Sequence, residues 1–144
     1  FDFIYGGGVI EHFKDTRKCL NEIYRVLTKN GVSFNSVPHL NLGSLTYRQK
    51  WGNIPNFPVL KTLAELVHLK ILKGKHMIYG YEYSFPSYLI RKLHKQAGFK
   101  KIKIGKLQVK LVFEFLPPIL RKISHLIAEN SSLFWPMIKI VAKK

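Results

Sequence analysis

The sequence predicts an α/β fold in which strands of a parallel sheet alternate with helices. A strand pattern, a helix pattern and a second strand pattern follow one another within the first 37 residues, which is the span of one βαβ unit. Two more strand patterns lie in the C-terminal third of the chain. Apolar residues make up 47% of the 144 residues, as is typical of globular domains, and this length suits a single domain with its own core.

The first βαβ unit has recognisable boundaries. Phe1–Tyr5 is an apolar, aromatic run that ends at Gly6–Gly8, which is typical of a buried strand entering a tight loop. Asp15 is a predicted N-cap, because apolar residues recur at helical spacing after it. Residues 32–37 alternate apolar with small polar side chains and stop at Pro38, which cannot donate to a strand ladder. We therefore expect two parallel strands joined by a right-handed helical crossover.

Residues 39–83 interrupt this regular order with turn-rich, aromatic sequence, which we interpret as an insertion or lid with its own helix. The apolar positions of that helix fall on one face: Leu60, Leu63, Ala64, Val67 and Ile71. Ser84 is the predicted cap of the next helix, and Gly98 is its predicted end. The remaining predicted elements are a strand at Lys101–Ile104, a helix at Ile119–Ala128 and a strand at Pro136–Ala142.

The chain is strongly basic, with 24 Lys and Arg residues against 8 Asp and Glu residues and a formal net charge of +16. Eight basic residues and no acidic residue lie between Arg91 and Lys110. An anionic partner such as nucleic acid, a membrane surface or a phosphorylated substrate suits this stretch, and a solvated face explains it as well. Nucleic acid is the less favoured partner, because no RNA-binding or DNA-binding module is recognisable.

Two runs of mixed apolar and basic character, Leu66–Lys75 and Ile119–Ile127, fit either helices that lie on an anionic membrane or helices that pack on a core with a basic outer face. No uncharged apolar run approaches the roughly 20 residues that a spanning helix needs.

The N-terminal residues lack the features of a signal peptide, and the single cysteine, Cys19, excludes an internal disulfide and a four-thiolate zinc site. We expect a cytoplasmic protein, with peripheral contact to an anionic membrane left open.

Several segments carry a family resemblance: Phe1–Ile4 with the following Val9–His12, Asp15–Gly31, Phe34–Pro38, and Ser84–Phe99. In this order they resemble the C-terminal half of a class I S-adenosylmethionine (SAM)-dependent methyltransferase, from its fourth strand onwards. The resemblance implies a partial Rossmann-like sheet, equivalent to the family's strands four to seven, with flanking helices and a helical insertion. It also implies that the final strand lies antiparallel between its neighbours.

The family's glycine-rich loop and the acidic residue that ends its second strand are not in this sequence. We therefore expect residues 1–144 to be the C-terminal part of one methyltransferase domain that is inactive by itself, with residues 39–83 as an insertion or substrate lid. The implied cofactor is SAM, and the implied reaction is methyl transfer to an unidentified small-molecule or lipid-like acceptor. The alternative function is a non-catalytic basic domain that binds RNA or an anionic membrane surface.

The resemblance also assigns candidate site residues. Three consecutive glycines are expected to contact the methionine part of SAM, because glycine lets a ligand approach the backbone: Gly6, Gly7 and Gly8. His12, next to Glu11, and His39 are the candidate general bases, although Glu11 and His12 also suit a structural role in the loop. Some quinone-biosynthesis methyltransferases add a third acidic residue to bind a metal, but Gly8 stands at that position, so no metal site is expected. Three aromatic residues are candidates to line a substrate pocket or to pack the lid: Tyr47, Trp51 and Tyr81.

Overall fold

The N-terminal βαβ unit forms as the sequence predicts. In the computed structural model, which describes residues 1–46 and 51–144, it consists of β1 (Phe3–Gly7), α1 (Thr16–Val26) and β2 (Val32–Pro38). The two strands pair in parallel. Asp15 caps α1, because its carboxylate accepts a hydrogen bond of 2.9 Å from the Lys18 amide.

Residues 39–83 hold short elements that are anchored in the core. They comprise α2 (Gly43–Thr46), β3 (Ile54–Pro55), α3 (Leu60–Glu65), a π-helical turn over Leu66–Ile71, and the start of β4 (Tyr83–Ser84). β3 and β4 pair in parallel, and Ile54 and Tyr83 are fully buried. The predicted helix forms, but the π-helical turn changes its periodicity, and Leu60, Leu63 and Ile71 are exposed rather than packed.

The helix α4 (Ser87–Gln96) begins later than the sequence predicts. Pro86 is its N-cap and has extended backbone angles, with φ −63° and ψ 144°. The prediction that Ser84 caps this helix is wrong, because Ser84 belongs to β4 and the proline keeps the chain extended up to the first helical turn. Gly98 follows the helix as predicted, with a φ of 106°.

The C-terminal part of the chain adds two strands to the main sheet. Its elements are β5 (Lys101–Leu107), α5 (Pro118–Asn130) and β6 (Met137–Lys143). The strand order is β1-β2-β6-β5, and β6 runs antiparallel to both of its neighbours. This arrangement confirms the predicted α/β sheet with its final strand antiparallel between two others. Within the described residues, no helix is long and apolar enough to span a membrane.

The main sheet has a covered face and an open face. Side chains alternate between the two faces along each strand. On the covered face, Val37, Ile138 and Ile140 are fully buried in a core that side chains of α1 and α4 complete. On the open face, Phe3 and Tyr5 of β1 are 58% and 69% exposed. The carboxyl ends of β1 and β2 position the glycine turn and the residues Glu11 and His12 that follow it.

Candidate active site

The candidate site lies where β1 and β2 end. These strands are parallel neighbours, so their carboxyl ends meet at one edge of the sheet, which is where open α/β sheets bind ligands. Gly8 turns the chain away from β1 with a φ of 70°. Its amide donates to the backbone oxygen and to the hydroxyl oxygen of Ser36, at 3.3 and 3.2 Å. The turn is thereby fixed to the end of β2.

Each glycine of this turn has a different local environment. A Cβ atom on Gly6 would lie 2.6 Å from the side-chain oxygen of buried Asn35, so core packing accounts for this glycine. Gly8 has the positive φ that other residues rarely adopt. Gly7 is exposed, and a Cβ atom there would lie 2.5 Å from the hydroxyl oxygen of Tyr5, so a side chain at this position would displace the Tyr5 ring from its stacking on Phe34. Local structure thus gives a reason for a glycine at each of the three positions, and the contacts of all three glycines with SAM stay predictions.

Glu11 brings a buried carboxyl group next to the glycine turn. It lies in the 3-10 helical turn Ile10–His12 and is 1% exposed. A Cβ atom on Gly8 would be 3.6 Å from Oε1 of Glu11. Its Oε2 is buried without a hydrogen-bond partner among the described residues. Burial raises the pKa of Glu11 from 4.5 to about 7, so this carboxyl group can exchange a proton near neutral pH.

His12 is oriented by a residue from beyond the predicted lid helix. Its Nδ1 lies 2.8 Å from the carbonyl oxygen of Tyr81. Because a carbonyl only accepts, Nδ1 carries the hydrogen and Nε2 is the basic nitrogen of the neutral ring. The structure thus joins two residues that the sequence predicts for the site, although their roles in catalysis and substrate binding stay predictions.

His39 is held in a buried hydrogen-bond network at the end of β2. It is 6% exposed, its Nδ1 lies 2.8 Å from the side-chain nitrogen of Asn41, and its Nε2 lies 2.8 Å from the Ser87 hydroxyl. The Asn41 amide also donates to the carbonyl oxygen of Trp135, at 2.9 Å. This network connects β2 to α4 and to the segment before β6. Its geometry is typical of a structural histidine, and the role of His39 as a general base stays a prediction.

Residues 39–83 contain a carboxylate–phenol cluster that sequence reasoning missed. Glu65 accepts hydrogen bonds from the hydroxyls of Tyr81 and Tyr83, at 2.7 and 2.6 Å, and the two phenols also contact each other. These bonds, the one from Tyr83 first, lower the pKa of Glu65, and burial raises the pKa of Tyr81 to about 12. The period-2 spacing of the tyrosines is a signal that they share a face, but no sequence signal pairs them with Glu65.

The other predicted aromatic residues lie apart from this cluster or outside the described residues. Trp51 is 55% exposed, and its carbonyl oxygen lies 3.0 Å from Nε2 of His68. Tyr47 falls in residues 47–50, outside the part of the chain that the structure describes. Within residues 1–46 and 51–144, no group of three or more His, Cys, Asp or Glu side chains is placed to hold a metal ion.

Residues 1–34 match the family model of a methyltransferase domain. This segment contains β1, α1 and the beginning of β2, and therefore the whole glycine turn with Glu11 and His12. No curated protein sequence matches the chain.

Solved structures of SAM-dependent methyltransferases share this fold. Phosphoethanolamine N-methyltransferase 2 of Haemonchus contortus, in complex with SAM, gives a TM-score of 0.54 at 16% identity, over 100% of this chain and 33% of that one. A SAM-dependent methyltransferase of Thermotoga maritima, described as a possible histamine N-methyltransferase, gives a TM-score of 0.53 at 18% identity, over 100% of this chain and 56% of that one. A SAM-dependent methyltransferase of Archaeoglobus fulgidus gives a TM-score of 0.52 at 16% identity, over 100% of this chain and 59% of that one.

The chain thus spans between 33% and 59% of the length of these three proteins. Together with the family match over residues 1–34, the shared fold confirms the resemblance to class I SAM-dependent methyltransferases that the sequence predicts.

Proposed function

We propose that the chain is the C-terminal part of a SAM-dependent methyltransferase domain, with a small-molecule or lipid-like methyl acceptor. The observation that carries the proposal is the sheet, in which β6 lies antiparallel between β2 and β5 while β1 and β2 end together at the glycine turn. Two solved structures with this fold contain SAM or S-adenosylhomocysteine, the product that remains after methyl transfer. Their own acceptors do not identify the acceptor of this chain.

The glycine turn fits one end of the cofactor. Gly7 is exposed at the end of β1, so the backbone there is open to the amino-acid part of SAM, with Gly6 and Gly8 on either side. The sequence contains no glycine-rich loop for the ribose and adenine, and the proposal therefore assigns this chain only a part of the cofactor site. When bound, SAM supplies a methyl group on a positively charged sulfur atom.

Two side chains beside the turn are suited to take the proton of an acceptor hydroxyl or amine. Glu11 has a pKa of about 7, and its Oε2 lacks a partner among the described residues, so it is ready to accept a proton near neutral pH. His12 offers Nε2 as a base, because the bond to Tyr81 holds the hydrogen on Nδ1. His39 is a third candidate, whose ring would first have to release its hydrogen bond with Asn41 or with Ser87.

Residues 39–83 would cover the acceptor in this proposal. The backbone of Tyr81 holds His12, and the hydroxyl of Tyr81 binds Glu65 of α3, so the lid and the turn form one connected structure. Such a connection would exclude water and align the acceptor with the methyl group. Trp51 and Tyr47 stay candidates to contribute aromatic surface for the acceptor.

Titration of the 144-residue chain with S-adenosylhomocysteine, followed by NMR of the backbone amides, tests the cofactor site. We expect weak binding, because the chain supplies only part of the site, with the largest shifts at Gly6, Gly7, Gly8 and Glu11. Gly7→Val should weaken binding about tenfold or more, since a branched side chain would project where the ligand approaches, and tenfold corresponds to about 1.4 kcal/mol.

Gly105→Val is the matched control. Gly105 lies on β5 at the far edge of the sheet, and a Cβ atom there would meet only the flexible side chain of Lys139, at 3.1 Å. This variant should keep the affinity of the parent chain. Unchanged affinity in a folded Gly7→Val variant, or shifts confined to other parts of the chain, would mean that the turn does not bind the cofactor. The absence of any shift would favour the non-catalytic basic domain.

A further inference from the structure

The helix α5 packs against the domain with its polar side. Its one fully buried side chain among the described residues is the small Ala128. Arg121 donates from its guanidinium group to the carbonyl oxygen of Leu116, at 3.0 Å, and the ring of His125 contacts the carbonyl oxygen of Val112 through Nε2, at 2.8 Å. These bonds fix the rotation of the helix relative to the segment before it.

The apolar side of α5 consequently faces outward. Its aliphatic side chains are between 52% and 79% exposed: Ile119, Leu120, Ile123, Leu126 and Ile127. Phe115 and Leu133, on either side of the helix in sequence, are 71% and 54% exposed. A helix that served only to complete the core would turn these residues inward. A contiguous apolar surface of this kind indicates an interaction site.

The connection that carries α5 is an elaboration at the active-site edge of the sheet. β5 and β6 are antiparallel neighbours, which a two-residue turn is able to join, but residues 108–136 lie between them. Met137 pairs with Leu107 and also with Pro38, so this connection leaves the sheet where β2 ends. The outward face of α5 therefore belongs to the same end of the molecule as the glycine turn.

The segment that contains α5 carries more positive than negative side chains: Lys106, Lys110, Arg121 and Lys122 against Glu114 and Glu129. Lys106 and Lys110 precede α5, Lys122 lies within it, and all three are exposed. In residues 1–46 and 51–144, the one ion pair joins Arg25 to Glu22, so none of these lysines is paired with a carboxylate there. The whole chain carries a formal charge of +16, which would oppose a close contact with a second copy and favour an anionic surface.

We propose that α5 lies on an anionic membrane, with its aliphatic face in the boundary between headgroups and acyl chains and the neighbouring lysines against lipid phosphates. The mixed apolar and basic sequence of Ile119–Ile127 permits either core packing or membrane contact. The outward orientation of its apolar residues is what favours the membrane. Docking of this kind does not require methyl transfer, and it would bring the glycine turn to a bilayer that contains amphiphilic acceptors.

Flotation of the chain with lipid vesicles tests the proposal, because vesicle-bound protein rises while aggregates sink. Vesicles of phosphatidylcholine with about 30% phosphatidylserine should carry the protein upward at low salt, and pure phosphatidylcholine vesicles should carry much less. The double variant Ile123→Gln with Ile127→Gln should bind the anionic vesicles about tenfold or more weakly, because each buried methylene group contributes to partitioning. Lys106→Gln with Lys110→Gln should lower binding severalfold, most clearly at low salt.

Tyr88→Gln is the control, because Tyr88 is an aromatic residue on α4 that is 57% exposed. It should float like the parent chain. All replaced side chains are exposed, so circular dichroism and thermal melting should show folded variants. Equal flotation of the parent and the Ile123→Gln, Ile127→Gln variant would overturn the proposal, as would equal binding to neutral vesicles. A dimer in size-exclusion chromatography that this double variant dissociates would show that a second copy covers the face.

Discussion

The two faces of the main sheet are built from the same strands but have opposite chemistry. Along β6, the side chains that point to the covered face are Ile138, Ile140 and Ala142, all fully buried. Those that point to the open face include Lys139 and Lys143. Alternate side chains of this one strand thus face a packed core and a basic surface. The packed side is the one that the helices of this chain cover.

The open face is itself divided. Its half on β1 and β2 is aromatic, and the rings of Tyr5 and Phe34 stack with centroids 5.2 Å apart. Its half on β5 and β6 is basic, because Lys101 pairs with Lys143 across the strands and Gly105 lies opposite Lys139. The aromatic half has the composition of surface that proteins bury, whereas the basic half has that of solvated surface. The open face is therefore aromatic towards the β1 edge of the sheet and basic towards the β5 edge, in addition to the difference between the two faces.

Adjacent residues on β6 give the sharpest test of this comparison. Ile140→Ala should destabilise the chain by about 2–5 kcal/mol, because it leaves a cavity in a fully buried site on the covered face. Val141→Ala, on the open face one residue later, should cost less than about 1 kcal/mol. Urea unfolding followed by circular dichroism measures both values. Similar losses for the two variants would mean that the open face is packed in solution.

A second test uses two buried titratable groups, His94 on α4 and Glu11 beside the glycine turn. Burial lowers the pKa of His94 from 6.5 to about 4, so the unfolded chain binds its proton first as the pH falls, and this group lowers stability between about pH 6.5 and 4. Burial raises the pKa of Glu11 from 4.5 to about 7, so the folded chain binds that proton first, and this group raises stability as the pH falls from about 7 to 4.5. Their opposite contributions should nearly cancel between pH 4.5 and 6.5.

Single variants separate the two contributions. In the Glu11→Gln variant, Glu11 no longer offsets the effect of His94. The free energy of unfolding should therefore fall on acidification by up to about 1.4 kcal/mol per pH unit. Without His94, in His94→Gln, stability should instead increase as the pH falls over the same range. Urea midpoints measured every half pH unit give both slopes. If both variants have the slope of the parent chain, neither group is buried in solution as described.

The sequence predicts best what depends on neighbouring residues. The cap by Asp15, the left-handed Gly98 and the alternation of Ile102 with Lys103 are local patterns, and all appear in the structure. The strand order follows from a resemblance, because pairing of distant strands is not readable from local pattern alone. The contact between His12 and Tyr81 joins residues 69 positions apart, so no local rule anticipates it.

Two further features of the helices are not readable from the sequence pattern alone. On α5, Arg121 and His125 bond to backbone oxygens on the inner side of the helix, and the apolar residues lie on the outer side. The late start of α4 depends on Pro86, whose restricted conformation outweighs the capping preference of Ser84. In each helix, the contacts or the conformation of particular residues decide an arrangement that residue preferences alone do not predict.

A third test concerns the N-cap of α1, one of the helices that cover the sheet. Asp15→Ala removes the side-chain oxygen that accepts from the Lys18 amide, so it should destabilise the chain by about 1 kcal/mol. Glu22→Ala, on the same helix, removes only an exposed ion pair with Arg25 and should change stability by about 0.5 kcal/mol or less. Thermal unfolding distinguishes the two. Equal effects would indicate that the cap is not formed in solution.

The smallest effect on stability, with a large effect on solubility, is expected at the edge strand β1. Phe3 and Tyr5 are exposed there on the open face, and Ile4 lines an apolar groove of about 590 Å³ on the opposite face of the same strand. An unpaired apolar edge of this kind promotes association. Phe3→Lys with Tyr5→Lys should change the free energy of unfolding little but raise severalfold the concentration at which light scattering detects aggregates. Added salt should promote aggregation of the parent chain, because it screens the net positive charge beyond about 8–10 Å. Tyr88→Lys adds one positive charge away from the edge, whereas the β1 variant adds two. A gain in solubility at least half as large as that of the β1 variant would show that net charge, rather than the exposed edge, controls association.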